Sequence, residues 1–393
     1  MSTEKTSRLK VDWQSIIRGN ALIPVLAIVT SLIVGGILVA IANTDVQAAA
    51  GNIFSAPGTF FSTLGQTVGG AYDALFRGSI FNYQASDVAL MFKPLTETLA
   101  FATPITLTGL ALAISFRSGL FNIGGTGQII FGAMFAGWVG IYVHLPFWIH
   151  LPLAIVVGVI GGAFFGALVG LLKATTGANE VIVTIMFNYI AGLLLQYLLK
   201  TPLLQAPNTA NPISPAVQDT AKYPLLFGDT NRLHWGFFVM LAAVVFTWWL
   251  MNRSSIGFKF RAIGHNPRAA RVAGINLGLT YVAVMAVSGA LAGLAGTTQI
   301  LGTEQHLTIG VSASFGIDAI TVALLGRSNP WGVLAAGILF GGLRAGAVTM
   351  QAEQAVPVDI VTVVQSMIVL FIAAPPLVRA IYRIRKGAEV EAF

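Results

Sequence analysis

Residues 22–41 read LIPVLAIVTSLIVGGILVAI, a run of twenty positions without a single charge. At about 1.5 Å of rise per residue, a helix of that length crosses the roughly 30 Å hydrocarbon core of a bilayer. A removable signal segment has an apolar core of only about 7–15 residues. The run is therefore expected to stay as a first membrane helix, although the following VQAAA (46–50) resembles a cleavage site. The rest of the chain supports that reading. Its 393 residues are 55% hydrophobic and 9% charged, whereas soluble domains carry about 25% charged residues. Such a chain cannot cover itself with polar groups, so the expected solvent is lipid.

Nine further apolar runs lie near 95–115, 124–143, 150–172, 181–199, 234–251, 278–301, 311–326, 331–350 and 358–377. Lipid offers no partner for free backbone groups, so each is expected to be helical. The fold class is accordingly all-α: a polytopic membrane protein with about ten transmembrane helices. The run at 311–326 is short and flanked by Gly and Ser, which leaves open a full crossing or a re-entrant segment.

Lys and Arg favour cytoplasmic loops. With the N-terminus inside, 16 of the 22 basic residues fall on the cytoplasmic side. The expected organisation follows: a cytoplasmic tail at 1–21, a membrane domain at 22–377, and a cytoplasmic tail at 378–393. External segments are expected at 43–93 and 200–233, and the largest cytoplasmic loop at 252–277. This asymmetry also accounts for the net charge of +7 without nucleic acid. In the first external segment, Phe60, Phe61, Leu64, Val68, Tyr72, Leu75 and Phe76 recur at helical spacing. That predicts a helix lying on the outer membrane surface. The second carries five prolines and reads as a stiffened loop. Either segment suits docking or simple packing.

The chain lacks cysteine, and its five histidines are scattered without an HExxH pattern. No metal site and no cofactor is expected. A GxxxxGK[ST] phosphate loop is absent, so ATP is not expected to bind here in the usual way.

The cytoplasmic loop contains RAIGHNPRAARVAGINLGLT (261–280). Asn266 suits a helix N-cap, Pro267 the first helical position and Gly274 the terminating position. The spacing predicts a helix of about two turns, about 10 Å long. Ala269, Ala270 and Ala273 would form its small face, flanked by Arg268 and Arg271. Such an element fits a groove in a soluble partner; equally, it could anchor on lipid headgroups.

GHNPRAARVAGINL with SGALAGLAG resembles the coupling-loop region of ABC importer permeases of the branched-chain amino acid, ribose and nucleoside class. FRSGLFNIGGTGQIIFGAMFAG (116–137), NEVIVTIMFNYIAG (179–192) and FGIDAITVALLGRSNPWG (315–332) resemble the same family in the same order. The nearest likeness is to the nucleoside and simple-sugar subgroup. The resemblance implies about ten helices and a second permease subunit, more commonly a different one. It also implies an ATP-binding subunit on the cytoplasmic face and an extracellular substrate-binding lipoprotein. Residues Arg261, Gly264, Asn266, Pro267, Arg268, Ala269, Ala270, Arg271 and Gly274 would then take up the ATPase's movement. Thr126 stands where many relatives carry Glu, which puts carried-over substrate chemistry in doubt.

Polar groups inside a membrane usually face a cavity or one another. Glu180, Thr184 and Asn188 recur every four residues, with Tyr189 beside them; Asn179 and Glu180 also suit a cap and first turn. Thr106, near the helix-breaking Pro104, and Asn122, Thr126 and Gln128 in the glycine-rich turn are further candidates for a substrate pathway, with Asp318 and Thr321. Asp318 and Arg344 lie at similar depth on consecutive antiparallel spans. They either pair, or Asp318 lines the path while Arg344 reaches outward.

The function expected is the permease subunit of an ATP-driven importer in the plasma or inner membrane, moving nucleosides or related sugars inward by alternating access. It would not itself be an enzyme. A secondary transporter driven by an ion gradient, or an importer of branched-chain amino acids, is the alternative.

Overall fold

The computed structural model describes residues 22–374 apart from 208 and 229, with 377, 381 and 382 besides. The tails expected at 1–21 and 378–393 lie outside the described residues, Ile381 and Tyr382 excepted. Among the described residues all extended regular structure is helical, with only isolated bridges such as Ile213 with Thr308. In chain order the helices are α1 (Leu22–Ala42), α2 (Thr44–Gly51), α3 (Pro57–Ser79), α4 (Val88–Arg117) and α5 (Gly125–Tyr142). Then come α6 (Phe147–Thr176), α7 (Glu180–Leu198), α8 (Gly236–Arg253), α9 (Ser255–His265) and α10 (Pro267–Val272). The last are α11 (Leu277–Thr298), α12 (Phe315–Leu325), α13 (Pro330–Gln354) and α14 (Val358–Ala373).

Each apolar run of the sequence thus contributes a helix. Among the described residues seven helices are long and apolar enough to cross a membrane: those within Val25–Ala42, Val88–Arg117, Phe147–Thr176, Glu180–Leu198, Gly236–Arg253, Leu277–Thr303 and Pro330–Gln354. Helix α5 is buried along most of its length. The run at 311–326 yields only the 11 residues of α12, about 16 Å of helix and half a hydrocarbon core.

Local chemistry sets the ends. Asn43 and Asn179 cap α2 and α7 by accepting backbone N–H groups. Asn329 caps α13, with Pro330 at its first position. Gly177 ends α6 at φ +69, a left-handed conformation that glycine adopts without strain.

The chain divides into two compact units, with the division falling inside α3 at Gly69. In the unit formed by residues up to Gly69 and from Val356, α1 and α14 pack around Ala27 and Phe371. Thr30 Oγ1 and the Tyr382 hydroxyl lie 2.9 Å apart.

The larger unit, Gly70–Ala355, is a bundle whose most extensive contact joins α6 to α11. Lipid supplies no hydrophobic drive between helices, so association depends on close packing of small residues. That is what the interface shows. Gly162 and Gly166 of α6 lie against the backbone of α11 at Met285, Gly289 and Gly293, and Gly158 lies against the Thr297 side chain and α5 at Gly132 and Ala136, leaving no room for a Cβ. On the other side of the bundle, Gly341 of α13 abuts the α4 backbone at Thr98 and Ala102. The proline-rich loop is hydrogen-bonded across the chain, Ser214 N to Leu307 O at 3.0 Å and Tyr223 N to Leu301 O at 2.9 Å.

The segment at 57–79 is helical as expected, and from Gly70 onward α3 packs against the bundle. Ala71, Ala74 and Gly78 are buried, while Phe61 and Phe76 stay exposed. Small residues let α3 approach α13 closely: Leu75 meets Gly346, and Gly78 meets Thr349. Arg77, buried there, donates to Glu353 at 2.5 Å and to Asp73 at 2.9 Å. The Tyr83 hydroxyl, and secondarily Arg77, hold the Asp73 carboxyl below its ordinary pKa.

Candidate functional site

The loop at 252–277 folds as its sequence prescribes. Ser254 caps α9 by accepting from Gly257 N at 2.9 Å. Asn266 ends α9 and caps α10, its Oδ1 accepting from Arg268 N at 3.0 Å and Ala269 N at 3.1 Å. Pro267 occupies the first turn. Gly274 closes α10 at φ +81, and Ile275 N then donates to Ala270 O at 3.0 Å. Asn276 caps α11 through Leu279 N. One short chain segment therefore carries three capped helix starts in sequence, which fixes its shape.

Of the three alanines, Ala270 is buried and the other two are exposed. Arg268, Arg271 and Val272 are exposed, Val272 at 90%. Arg261 has a buried Nη1 without a hydrogen-bond partner. Gly264 lies directly against the backbone of Arg117, Ser118 and Gly119, where any side chain would collide. Phe260 and Ile263 anchor α9 below. Helix α9, which shares Asn266 with α10, thus touches the end of α4 backbone to backbone.

The polar residues of the spans form three sets. In the first, Asn122 Nδ2 donates to Ser288 Oγ at 2.9 Å and to Gln128 Oε1 at 3.2 Å. Ser288 Oγ in turn donates to Ala111 O at 2.7 Å. The network ties α4, α5 and α11 together. In the second, Asn188 Oδ1 accepts from Gly127 N at 2.8 Å and its Nδ2 donates to Ile123 O at 2.9 Å. Thr184 Oγ1 accepts from Ile123 N at 3.3 Å. Helix α7 so satisfies the opening turn of α5, whose own cap position, Gly124, has no side chain to offer. Glu180 pairs with Lys173 at 2.6 Å.

The third set is the charged one. Arg344 Nη1 donates to Asp318 Oδ2 at 2.6 Å, and also to Ser314. Ser314 donates to the same carboxylate at 2.8 Å. The opposite charges of α12 and α13 therefore pair. Thr321 donates to Asp318 O, Thr126 packs against Gly316, and Thr106 has a buried hydroxyl without a partner, facing Gly337. Tyr189 is exposed, 66%. The sequence candidates are thus brought together in these small groups.

The open space lies elsewhere. A cavity of about 80 Å³ is lined by Glu97, Phe101, Arg232, Gln299, Glu304, Phe315 and Arg344 among others. An adjoining cleft of about 450 Å³ shares Glu97, Phe101 and Arg232. Of these residues, only Arg344 was singled out by sequence reasoning. The signal available for Gln299, Thr303 and Glu304 is a polar cluster closing an apolar run. Among the described residues no His, Asp or Glu cluster suits a metal ion.

Long apolar helices, small-residue interfaces and buried polar braces define a multi-pass membrane protein with a rigid, basic loop between two of its spans. Residues 95–373 match the family described as "Branched-chain amino acid transport system / permease component", and the chain belongs to that family. It is 40% identical over 284 residues to the guanosine ABC transporter permease protein NupP of Bacillus subtilis, covering 72% of this chain and 82% of that one. It is 34% identical over 287 residues to the glucose ABC transporter permease protein TsgB13 of Haloferax volcanii, covering 71% and 75%. The nucleoside ABC transporter permease protein NupB of Lactococcus lactis is 33% identical over 289 residues, covering 72% and 79%.

Proposed function

We propose that the chain is the membrane-spanning subunit of an ATP-driven importer, and that it carries nucleosides or related simple sugars inward by alternating access. The observation that carries the proposal is the loop at 252–277: a short, fully capped, arginine-bearing helix whose support, α9, lies backbone to backbone on the end of a long span. The names of the relatives supply the solute class.

On this reading the chain crosses the cell membrane about ten times with both termini inside. The loop at 252–277 then faces the cytoplasm, and the segments at 43–93 and 200–233 face outward. Arg268 and Arg271 meet acidic or polar groups of a separate ATP-binding subunit, which performs the hydrolysis. A second, different permease completes the pore, and an extracellular binding lipoprotein delivers the solute. The path runs along α4, α5, α7 and α12, past Asn122, Gln128, Asn188 and Asp318, whose present partners are exchanged as the helices move.

The test is charge reversal in the complete importer. Arg268→Glu with Arg271→Glu is expected to leave the protein folded, since both side chains are exposed, while abolishing stimulation of ATP hydrolysis by solute-loaded receptor. ATP hydrolysis that stays fully coupled to uptake in this double variant would contradict the proposal.

A further inference from the structure

We propose that the cleft around Glu97, Phe101 and Gln299 is a binding station for an uncharged ring bearing two adjacent hydrogen-bond donors. A nucleobase edge and a vicinal sugar diol share that chemistry. The inference rests on the importer reading above and deepens it by naming where the solute is held and by what.

Four features of the cleft converge. Gln299 is only 4% exposed and lines the cavity, yet among the described residues nothing accepts from or donates to its side-chain amide. Its amide atoms are not sealed in the protein, so an amide on the cavity wall with no protein partner is free to bond water or a solute there. Its position has a structural cause. Residues Gln299–Thr303 form a π turn at the end of α11, closed by Glu304 N donating to Gln299 O at 2.8 Å. Such a turn shifts the helical register and re-aims the side chains on it, which is why π turns collect at functional sites.

Glu97, on α4, is the second feature. It is half-buried, it lines both the cavity and the adjoining cleft, and no described residue pairs or hydrogen-bonds with its carboxylate. The third is aromatic. Phe101 has two guanidinium groups near its ring, Arg232 at 6.0 Å and Arg344 at 5.9 Å from the ring centre, and Arg344 also stands 5.1 Å from Phe315. Flat apolar and guanidinium surfaces of this kind receive a planar ring by stacking.

The fourth is charge. Arg344 is matched by Asp318 at 2.6 Å and Arg232 by Glu304 at 3.7 Å. Glu97 is left over from these pairs, and Lys93, which lines the same cleft, balances it, so the groups around the site carry no excess charge. A lining without excess charge suits an uncharged solute. A carboxylate accepts two hydrogen bonds side by side, and the amide of Gln299 adds two donors and an acceptor. Together they fit a neighbouring pair of N–H or O–H groups. The cavity of about 80 Å³ exceeds the roughly 10–15 Å³ that a single water needs, and it widens into the larger cleft.

The test uses cells that lack other nucleoside uptake and carry the complete importer. Initial uptake of labelled guanosine, 2′-deoxyguanosine and glucose is measured below saturation, with the amount of protein in the membrane determined in parallel. Glu97→Gln is expected to lower uptake about tenfold or more per molecule, the scale of losing a charged hydrogen bond. Because Glu97 has no partner among the described residues, the amount of folded protein should not change. Gln299→Leu is expected to act in the same direction. Equal loss for guanosine and 2′-deoxyguanosine assigns the carboxylate to the base edge; loss confined to guanosine and glucose assigns it to the diol. Unchanged uptake of all three solutes in both variants, or a fall no greater than that in protein amount, overturns the proposal while leaving the importer reading intact. If the unaltered importer carries none of the three, the importer reading itself fails and this inference falls with it.

Discussion

Replacing Gly162 by Ala adds one methyl group where two helix backbones touch. A Cβ at Gly162 would meet Gly289 O and the backbone of Gly293, and no flexible side chain stands between them to yield. Helices α6 and α11 must then separate along their whole contact, the largest in the bundle. Overpacking of this kind costs about 1–3 kcal/mol, and rigid backbone on both sides argues for the upper end. Ala regains up to about 1 kcal/mol over Gly through helix propensity. The net loss is about 2 kcal/mol, a shift of roughly 4–8 °C in melting temperature for a domain of 150–250 residues. Gly192 of α7 is the internal control, since nothing lies within 4 Å of a Cβ built there. Gly192→Ala should therefore gain the propensity term alone and melt slightly higher. Thermal unfolding of the solubilised protein, at one detergent and one scan rate, measures both. A melting temperature for Gly162→Ala equal to or above that of the parent would refute the close-approach account of the bundle.

Three further outcomes are expected. Asp318→Asn strands the Arg344 guanidinium, partly shielded by Phe101 and Phe315, and should destabilise by about 1–3 kcal/mol; the double variant with Arg344→Gln should be less destabilised than the sum of the singles, and strict additivity in a double-mutant cycle would deny the contact. Glu353→Ala leaves the buried Arg77 with only Asp73 and Gln84, so it should lower stability by about 2 kcal/mol. Adding Arg77→Met should recover part of that loss in thermal melts. Finally, the chain contains no cysteine, so Arg268→Cys introduces a single thiol, which an impermeant maleimide should label only after the cytoplasmic face is opened.

Much of the framework is legible in the sequence because lipid forbids unpaired backbone: each long apolar run is a helix. The helix at 267–272 is legible for a different reason. Its caps, Asn266 before Pro267 and Gly274 after, act within a few residues of chain and need no distant partner. Depth counting along antiparallel spans likewise brings Asp318 and Arg344 within reach of each other. What escapes is whatever depends on distant chain. The aromatic spacing of 57–79 announces a helix, but not its close approach to α13, far along the chain, where Leu75 meets Gly346. Asn188 sits on a polar stripe, yet the backbone of the turn before α5 takes up its amide. The cleft is the extreme case. Phe101, Arg232, Gln299 and Arg344 come from four separate regions of the chain, and the π turn that aims Gln299 leaves no periodic mark in an apolar run.

The most direct measurement is uptake of labelled guanosine into liposomes containing this chain and its second permease, with and without the ATP-binding subunit. Accumulation is expected only when that subunit and ATP are present on the face bearing Arg268, with loaded receptor on the other. Accumulation driven by an ion gradient across liposomes lacking the ATP-binding subunit would contradict the account.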